Sequence, residues 1–80
     1  MNNTQKVKVF STQACPYCHM AKNFLKKNNI EYEDLDVASN SSAAREMIQK
    51  SGQHGVPVIE INNEILVGFN PRAMTELLDL

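Results

Sequence analysis

The chain has no excess of either charge: 8 basic residues stand against 9 acidic ones, a formal net charge of −1. That leaves no electrostatic case for a nucleic-acid partner or an anionic membrane surface. It also lacks a long hydrophobic run. The opening MNNTQKVKVF is polar before it becomes a strand pattern, so neither a signal peptide nor a membrane span is expected, and the protein is expected in the cytoplasm, where thiols stay reduced. Cysteine is scarce. Cys15 and Cys18 are the only two, and at a separation of three they cannot join distant elements, so no structural disulfide framework is expected. No repeat, linker or low-complexity tract interrupts the 80 residues, which suffice for one domain over 1–80 with a thin, two-layered core. A hydrophobic share of 42% is that of a folded globule. The one basic cluster, Lys22, Lys26 and Lys27, has helical spacing and reads as a solvated helix face.

What is present is a succession of local signals. Val7 to Thr12 is rich in β-branched residues, with Val7 and Val9 alternating against Lys6 and Lys8, and predicts a strand. Pro16 suits a first helical turn, and Tyr17, Met20, Ala21, Phe24 and Leu25 then recur at helical spacing as an inner stripe. A second strand is expected over Ile30 to Val37. Asn40 to Ser42 supply N-cap candidates for a second helix, which carries Ala44, Met47 and Ile48 inward and stops at Gly52. Val58 to Ile61 and the EILVG segment form two strands around Asn62–Asn63, a pair that tolerates the positive φ of a tight hairpin. Asn70 and Pro71 open a last helix with Ala73, Met74, Leu77 and Leu78 inside. The order is β-α-β-α-β-β-α, an α/β chain with a parallel first βαβ unit and an antiparallel terminal hairpin.

CPYCHM, Cys15 to Met20, falls at the junction of the first strand and first helix. C-x-x-C permits a redox pair or half of a zinc site, and with His19 behind it resembles a haem attachment pattern. Haem attachment needs an export route and a pocket around a large macrocycle, whereas this helix is needed to cover the sheet. Zinc needs four ligands, or three and an open position. The soft candidates are Cys15, Cys18, His19 and His54, and His19 follows Cys18 without ligand spacing, which suits an exposed helix residue better. A redox pair fits the junction. Unpaired N–H groups at a helix start favour negative charge at Cys15, while Cys18 lies one turn inside and should be more buried and less ionised. Cys15 is then expected to attack a disulfide and Cys18 to resolve the mixed disulfide. Pro57, at the start of a buried strand, is unusual because proline cannot donate to a ladder. A cis Val56–Pro57 bond is one solution, and it would leave the Val56 backbone open to an extended thiol substrate.

These residues resemble the glutaredoxins, on the thioredoxin fold, over nearly the whole chain. VKVFSTQACPYC is similar to the family's first strand and active site, and SGQHGVPVIEINNEILVGF to its later half. The resemblance implies a four-stranded mixed sheet flanked by three helices. It implies a monomeric thiol–disulfide oxidoreductase with glutathione as cosubstrate and no metal. Its substrates would be protein disulfides or glutathionylated thiols, and the glutathione reductase system its electron source. By the same resemblance Cys15 is the nucleophile, Cys18 the resolving thiol, Tyr17 lines the glutathione cleft, and Val56 beside a cis Pro57 binds the cysteinyl part. The family's Thr-Val-Pro is departed from at Gly55. A basic residue three before the first cysteine is replaced by Thr12, and the family's Gly-Gly or Gly-Cys pair followed by Asp by Gly68, Phe69 and Asn70. Asn70 and the helix behind it could still receive a carboxylate. GF-x-P resembles the redoxins that serve ribonucleotide reductase and are recharged by thioredoxin reductase, the alternative within the class. The alternative outside it is a zinc or iron–sulfur module using Cys15 and Cys18.

Overall fold

The structure, a computed structural model, describes residues 6–80. The polar opening read from MNNTQ lies outside the described residues. The element order is the expected one: β1 (Val7–Ser11), α1 (Pro16–Lys27), β2 (Glu33–Asp36), α2 (Ser41–Ser51), β3 (Val58–Ile61), β4 (Glu64–Val67) and α3 (Pro71–Leu78). The strands lie in the order β2-β1-β3-β4. β1 runs parallel to β2 and antiparallel to β3, and β3 pairs antiparallel with β4. This is the mixed sheet of a thioredoxin-like fold. No helix among the described residues is long and apolar enough to cross a membrane.

The caps lie where the local signals put them. Asn40 Oδ1 accepts from Ala43 N–H and Asn70 Oδ1 from Ala73 N–H, both at 3.1 Å. Each satisfies a donor that the first turn cannot, at a typical worth of about 1 kcal/mol. Gly52 ends α2 at φ 73, and Asn62 and Asn63 turn the hairpin at φ 50 and φ 78. The strands are shorter than expected. β1 ends at Ser11, because Thr12 starts the turn into α1 and its carbonyl accepts from Cys15 N–H. Ile30 is spent on the exit of α1, where its N–H donates to the Leu25 carbonyl at 2.9 Å, so β2 begins only at Glu33.

β1 and β3 are central strands and are covered on both faces. Val7, Val9, Ile59 and Ile61 meet Ala21 and Leu25 of α1 and Met74 and Leu78 of α3. Phe10 and Val58, on the opposite face, meet Ala43 and Met47 of α2. Replacing a wholly buried side chain such as Leu25 by alanine should cost about 2–5 kcal/mol. Lys8 and Glu60 sit opposite one another in the ladder and join α2 through ion pairs, Lys8–Glu46 at 2.8 Å, Lys50–Glu46 at 2.7 Å and Lys50–Glu60 at 2.8 Å.

The inner faces of the two long helices are narrower than expected in α1 and shifted in α2. Cys18, Ala21 and Leu25 form the buried stripe of α1, while Tyr17 and Met20 are exposed. In α2 the buried residues are Ala43 and Met47, and Ile48 is exposed. Cys18 is buried as expected, packing as a small hydrophobe beside Ala21 and Leu25. Lys22 does not belong to a solvated face. Its side chain is only 14% exposed and pairs with Asp34 of β2 at 3.1 Å.

Candidate active site

Local geometry at the β1–α1 junction places the two thiols in different environments. Cys15 is itself the N-cap of α1, and its Sγ accepts from Cys18 N–H at 3.2 Å. A sulfur thus occupies the place usually taken by a Ser or Asp oxygen, at the end where backbone N–H groups and the helix dipole point outward. The turn leading to it closes weakly, with Cys15 N–H donating to the Thr12 carbonyl at 3.4 Å. The His19 ring strengthens the closure: its Nε2–H donates to the Gln13 carbonyl at 2.7 Å, tying the turn to α1. His19 is therefore exposed, as expected, but not idle.

Cys15 is half-buried and Cys18 wholly buried, both as free thiols. Burial pushes the Cys18 thiol up to about 12, and its hydrogen bond with Cys15 and the charge there add to the rise; the Thr12 backbone and the Lys22 ammonium oppose it. Desolvation penalises the thiolate, so Cys18 holds its proton firmly.

Long-range packing brings a third component to Cys15. The Val56 carbonyl accepts from the Cys15 thiol at 3.9 Å, and the Val56–Pro57 bond is cis, in line with the resemblance. Pro57 is buried beneath it, and its carbonyl accepts from Gly68 N–H at 2.8 Å. Gly68 has φ 88, a backbone conformation favouring glycine. Phe69 is drawn onto α1, its ring 6.2 Å from that of Phe24 in an edge-on contact. Asn70 uses its side-chain oxygen on α3 itself. Tyr17 stands out from the first turn of α1 at 61% exposure, and Thr12 is half-buried at the entry. Cys18, Thr12 and Val56 thus each contact Cys15, with Pro57 and Gly68 behind Val56. Among the described residues no group of three or more His, Cys, Asp and Glu side chains is placed to hold a metal ion.

Two contributors were not singled out from sequence. Asp34 accepts from the buried Ser11 hydroxyl at 2.9 Å as well as pairing with Lys22, which sets a charged group behind α1. Gln53 folds its carboxamide onto Gly55, immediately before Val56. The available signal for Gln53 was the glycine at 55, where Thr-Val-Pro would have put threonine.

The arrangement can be set beside known proteins. A glutaredoxin family model matches residues 7–66. The chain is 41% identical over 73 residues to a glutaredoxin-like 8.6 kDa protein in the rubredoxin operon of Clostridium pasteurianum, covering 91% of this chain and 97% of that one. It is 34% identical over 62 residues to glutaredoxin 3 of Escherichia coli strain K12, covering 78% and 75%. The crystal structure of a thioredoxin-like protein superimposes with a TM-score of 0.84 at 30% identity, over 89% of this chain and 97% of that one.

Proposed function

Because the chain belongs to the glutaredoxin family, whose members are thiol–disulfide oxidoreductases, we propose that it reduces protein disulfides and glutathionylated thiols at the expense of glutathione, in the cytoplasm and as a monomer. The observation that carries this reading is the unequal pair: a half-exposed Cys15 capping α1 beside a wholly buried Cys18. Cys15 attacks one sulfur of the substrate disulfide. A new S–S bond forms to Cys15, the old one breaks, and the departing thiolate takes up a proton. Cys18 then loses its proton and attacks the Cys15 sulfur, releasing the second substrate thiol and leaving a Cys15–Cys18 disulfide. Two electrons have passed from the protein to the substrate, and two glutathione molecules restore them.

The environment of Cys18 supports that order. Part of the rise in its pKa comes from Cys15, through a hydrogen bond and through charge. Both influences end once Cys15 is bound in a mixed disulfide, so Cys18 gives up its proton more readily when it is needed. Val56 fits the role of a backbone anchor for the cysteinyl part of the incoming thiol, and exposed Tyr17 that of a wall beside it.

A redoxin recharged by thioredoxin reductase and serving ribonucleotide reductase is the second reading. It is favoured by Thr12, which carries no charge for a glutathione carboxylate, and by Gly68–Phe69, with Phe69 packed on Phe24. A coupled assay separates the two. The purified protein should oxidise NADPH through glutathione and glutathione reductase at least about tenfold faster than through thioredoxin reductase, a difference of about 1.4 kcal/mol in transition-state free energy. The reverse preference would replace glutathione by thioredoxin reductase as the electron source.

A further inference from the structure

Between α2 and β3, Gln53 turns back on its own chain. Gly55 N–H donates to Gln53 Oε1 at 2.7 Å, and Gln53 Nε2–H donates to the Gly55 carbonyl at 3.0 Å. A donor and an acceptor on one residue, both met by one partner, is the pattern of a hydrogen-bonded pair in an antiparallel ladder. Here a side-chain amide takes the place of the neighbouring strand, and the two backbone groups allow only one orientation of that amide. The amide is braced in turn. Its remaining Nε2–H reaches Ser51 Oγ at 3.3 Å, and Ser51 donates to the Met47 carbonyl at 2.6 Å, anchoring the loop to the last turn of α2.

Gly55 is matched to this clamp. A Cβ at that position would lie 2.9 Å from Gln53 Oε1, too close for both to stay. Gly55 is not among the residues with positive φ, so the exclusion comes from contact and not from backbone strain. The consequence falls on the next residue. Gly55 has committed both backbone groups to Gln53. Val56 has not: its carbonyl meets the Cys15 thiol, and its N–H makes no intramolecular hydrogen bond among the described residues.

We propose that Gln53 is a positioning residue that, by holding Gly55, fixes the Val56 N–H and carbonyl for pairing with the backbone of the cysteinyl residue bound beside Cys15. The protein is thereby biased toward disulfides whose cysteine is flanked by peptide groups. This rests on the anchoring role given to Val56 above. It does not depend on glutathione being the electron donor.

The test uses pre-reduced protein and two disulfides: that of N-acetylcysteine methylamide, which carries peptide groups, and hydroxyethyl disulfide, which carries none. The readout is the ratio of the two second-order rate constants for protein oxidation. Gln53→Ala should lower this ratio about three- to tenfold, the effect of losing roughly one well-placed hydrogen bond. Gly55→Ala, which expels the Gln53 side chain, should lower it equally, and added to Gln53→Ala should change it by less than about twofold. Gln53→Glu keeps the acceptor for Gly55 N–H but loses the donor, and should fall between. Thermal midpoints identify a variant that fails to fold, in which case the two remaining single variants carry the comparison. A ratio unchanged in the folded variants, or full additivity of the two alanine changes, overturns the proposal. No glutathione is present, so a protein inert toward glutathione but showing the expected ratios would refute the donor reading and leave the clamp standing.

Discussion

The Cys15 sulfur and the Val56 carbonyl oxygen lie 3.9 Å apart, although 41 positions separate the two residues in the chain. A thiol contact of this length is weak and contributes little to stability. Its importance is spatial. Whatever binds to the Cys15 sulfur arrives beside a backbone group of Val56, and the antiparallel pairing of β1 with β3 holds the two together.

The burial difference between the thiols predicts selective alkylation. Limiting iodoacetamide at neutral pH should label Cys15 in the reduced protein and spare Cys18, whose thiol is wholly buried and raised to about 12. At neutral pH such a thiol stays protonated and reacts slowly. Peptide mapping by mass spectrometry reads the result, and label found mainly on Cys18 would exchange the two assigned roles.

Cys18→Ser should trap the intermediate. A stable mixed disulfide with glutathione should accumulate on Cys15, visible by intact mass. Reduction of protein disulfides should fall by more than about tenfold, because no thiol remains to release the substrate. Unchanged protein-disulfide activity would remove Cys18 from the route. Activity on small glutathionylated substrates can survive, since a second glutathione can release them.

Thr12 lies half-buried where the chain enters the Cys15 turn. Thr12→Lys should bring a cation to the position three before Cys15 and lower the apparent KM for glutathione. Solvent exposure limits the gain to about 1 kcal/mol, or several-fold in affinity. The gain should fade as salt is raised. An unchanged KM at low salt would place residue 12 outside the cleft and strengthen the thioredoxin-reductase reading.

The ion network across α2 and the sheet predicts a pH dependence of stability. Hydrogen bonds from Lys50 and then Lys8 hold the Glu46 carboxyl below its ordinary value. Its contribution is therefore present above the unfolded carboxylate pKa, near about 4.3, and is lost as pH falls through the lower folded value. Lys50 is raised, by hydrogen bonds to Glu46 and then Glu60, so its contribution is present below the ordinary value of 10.5 and is lost as pH rises through the folded one. Both groups are partly exposed, so Glu46→Gln should cost less than about 1 kcal/mol at pH 7. Urea titrations should show that cost shrinking as pH drops below about 4. A cost independent of pH would mean that Glu46 acts through packing.

Signals that act within about one turn of chain were legible in the sequence. Pro16 and Pro71 at helix starts, Asn40 and Asn70 as caps, Gly52 at a helix end and Asn62–Asn63 in the hairpin each set a local φ, ψ or an end-group hydrogen bond, whatever lies beyond. Together they determine the order of elements, and the three-residue spacing of Cys15 and Cys18 at a helix start already separates an outer thiol from an inner one. The proline opening a buried strand pointed to a special Val56–Pro57 bond, and the family resemblance added its cis form and a cysteinyl partner.

Only the tertiary structure decided which face of each helix turns inward. α1 has apolar side chains on more than one side, and the exposure of Tyr17 and Met20 depends on where β1 and β3 lie beneath it. Lys22 is drawn inward by Asp34, on a strand that follows a loop, and Gln53 finds Gly55 only because β3 and α2 fix the two ends of their segment. The physical division is one of range. Caps, turns and helix starts are settled by backbone geometry and hydrogen bonds among neighbours in sequence. Burial, ion pairing and the approach of Val56 to Cys15 require a surface that exists only once distant segments have packed together.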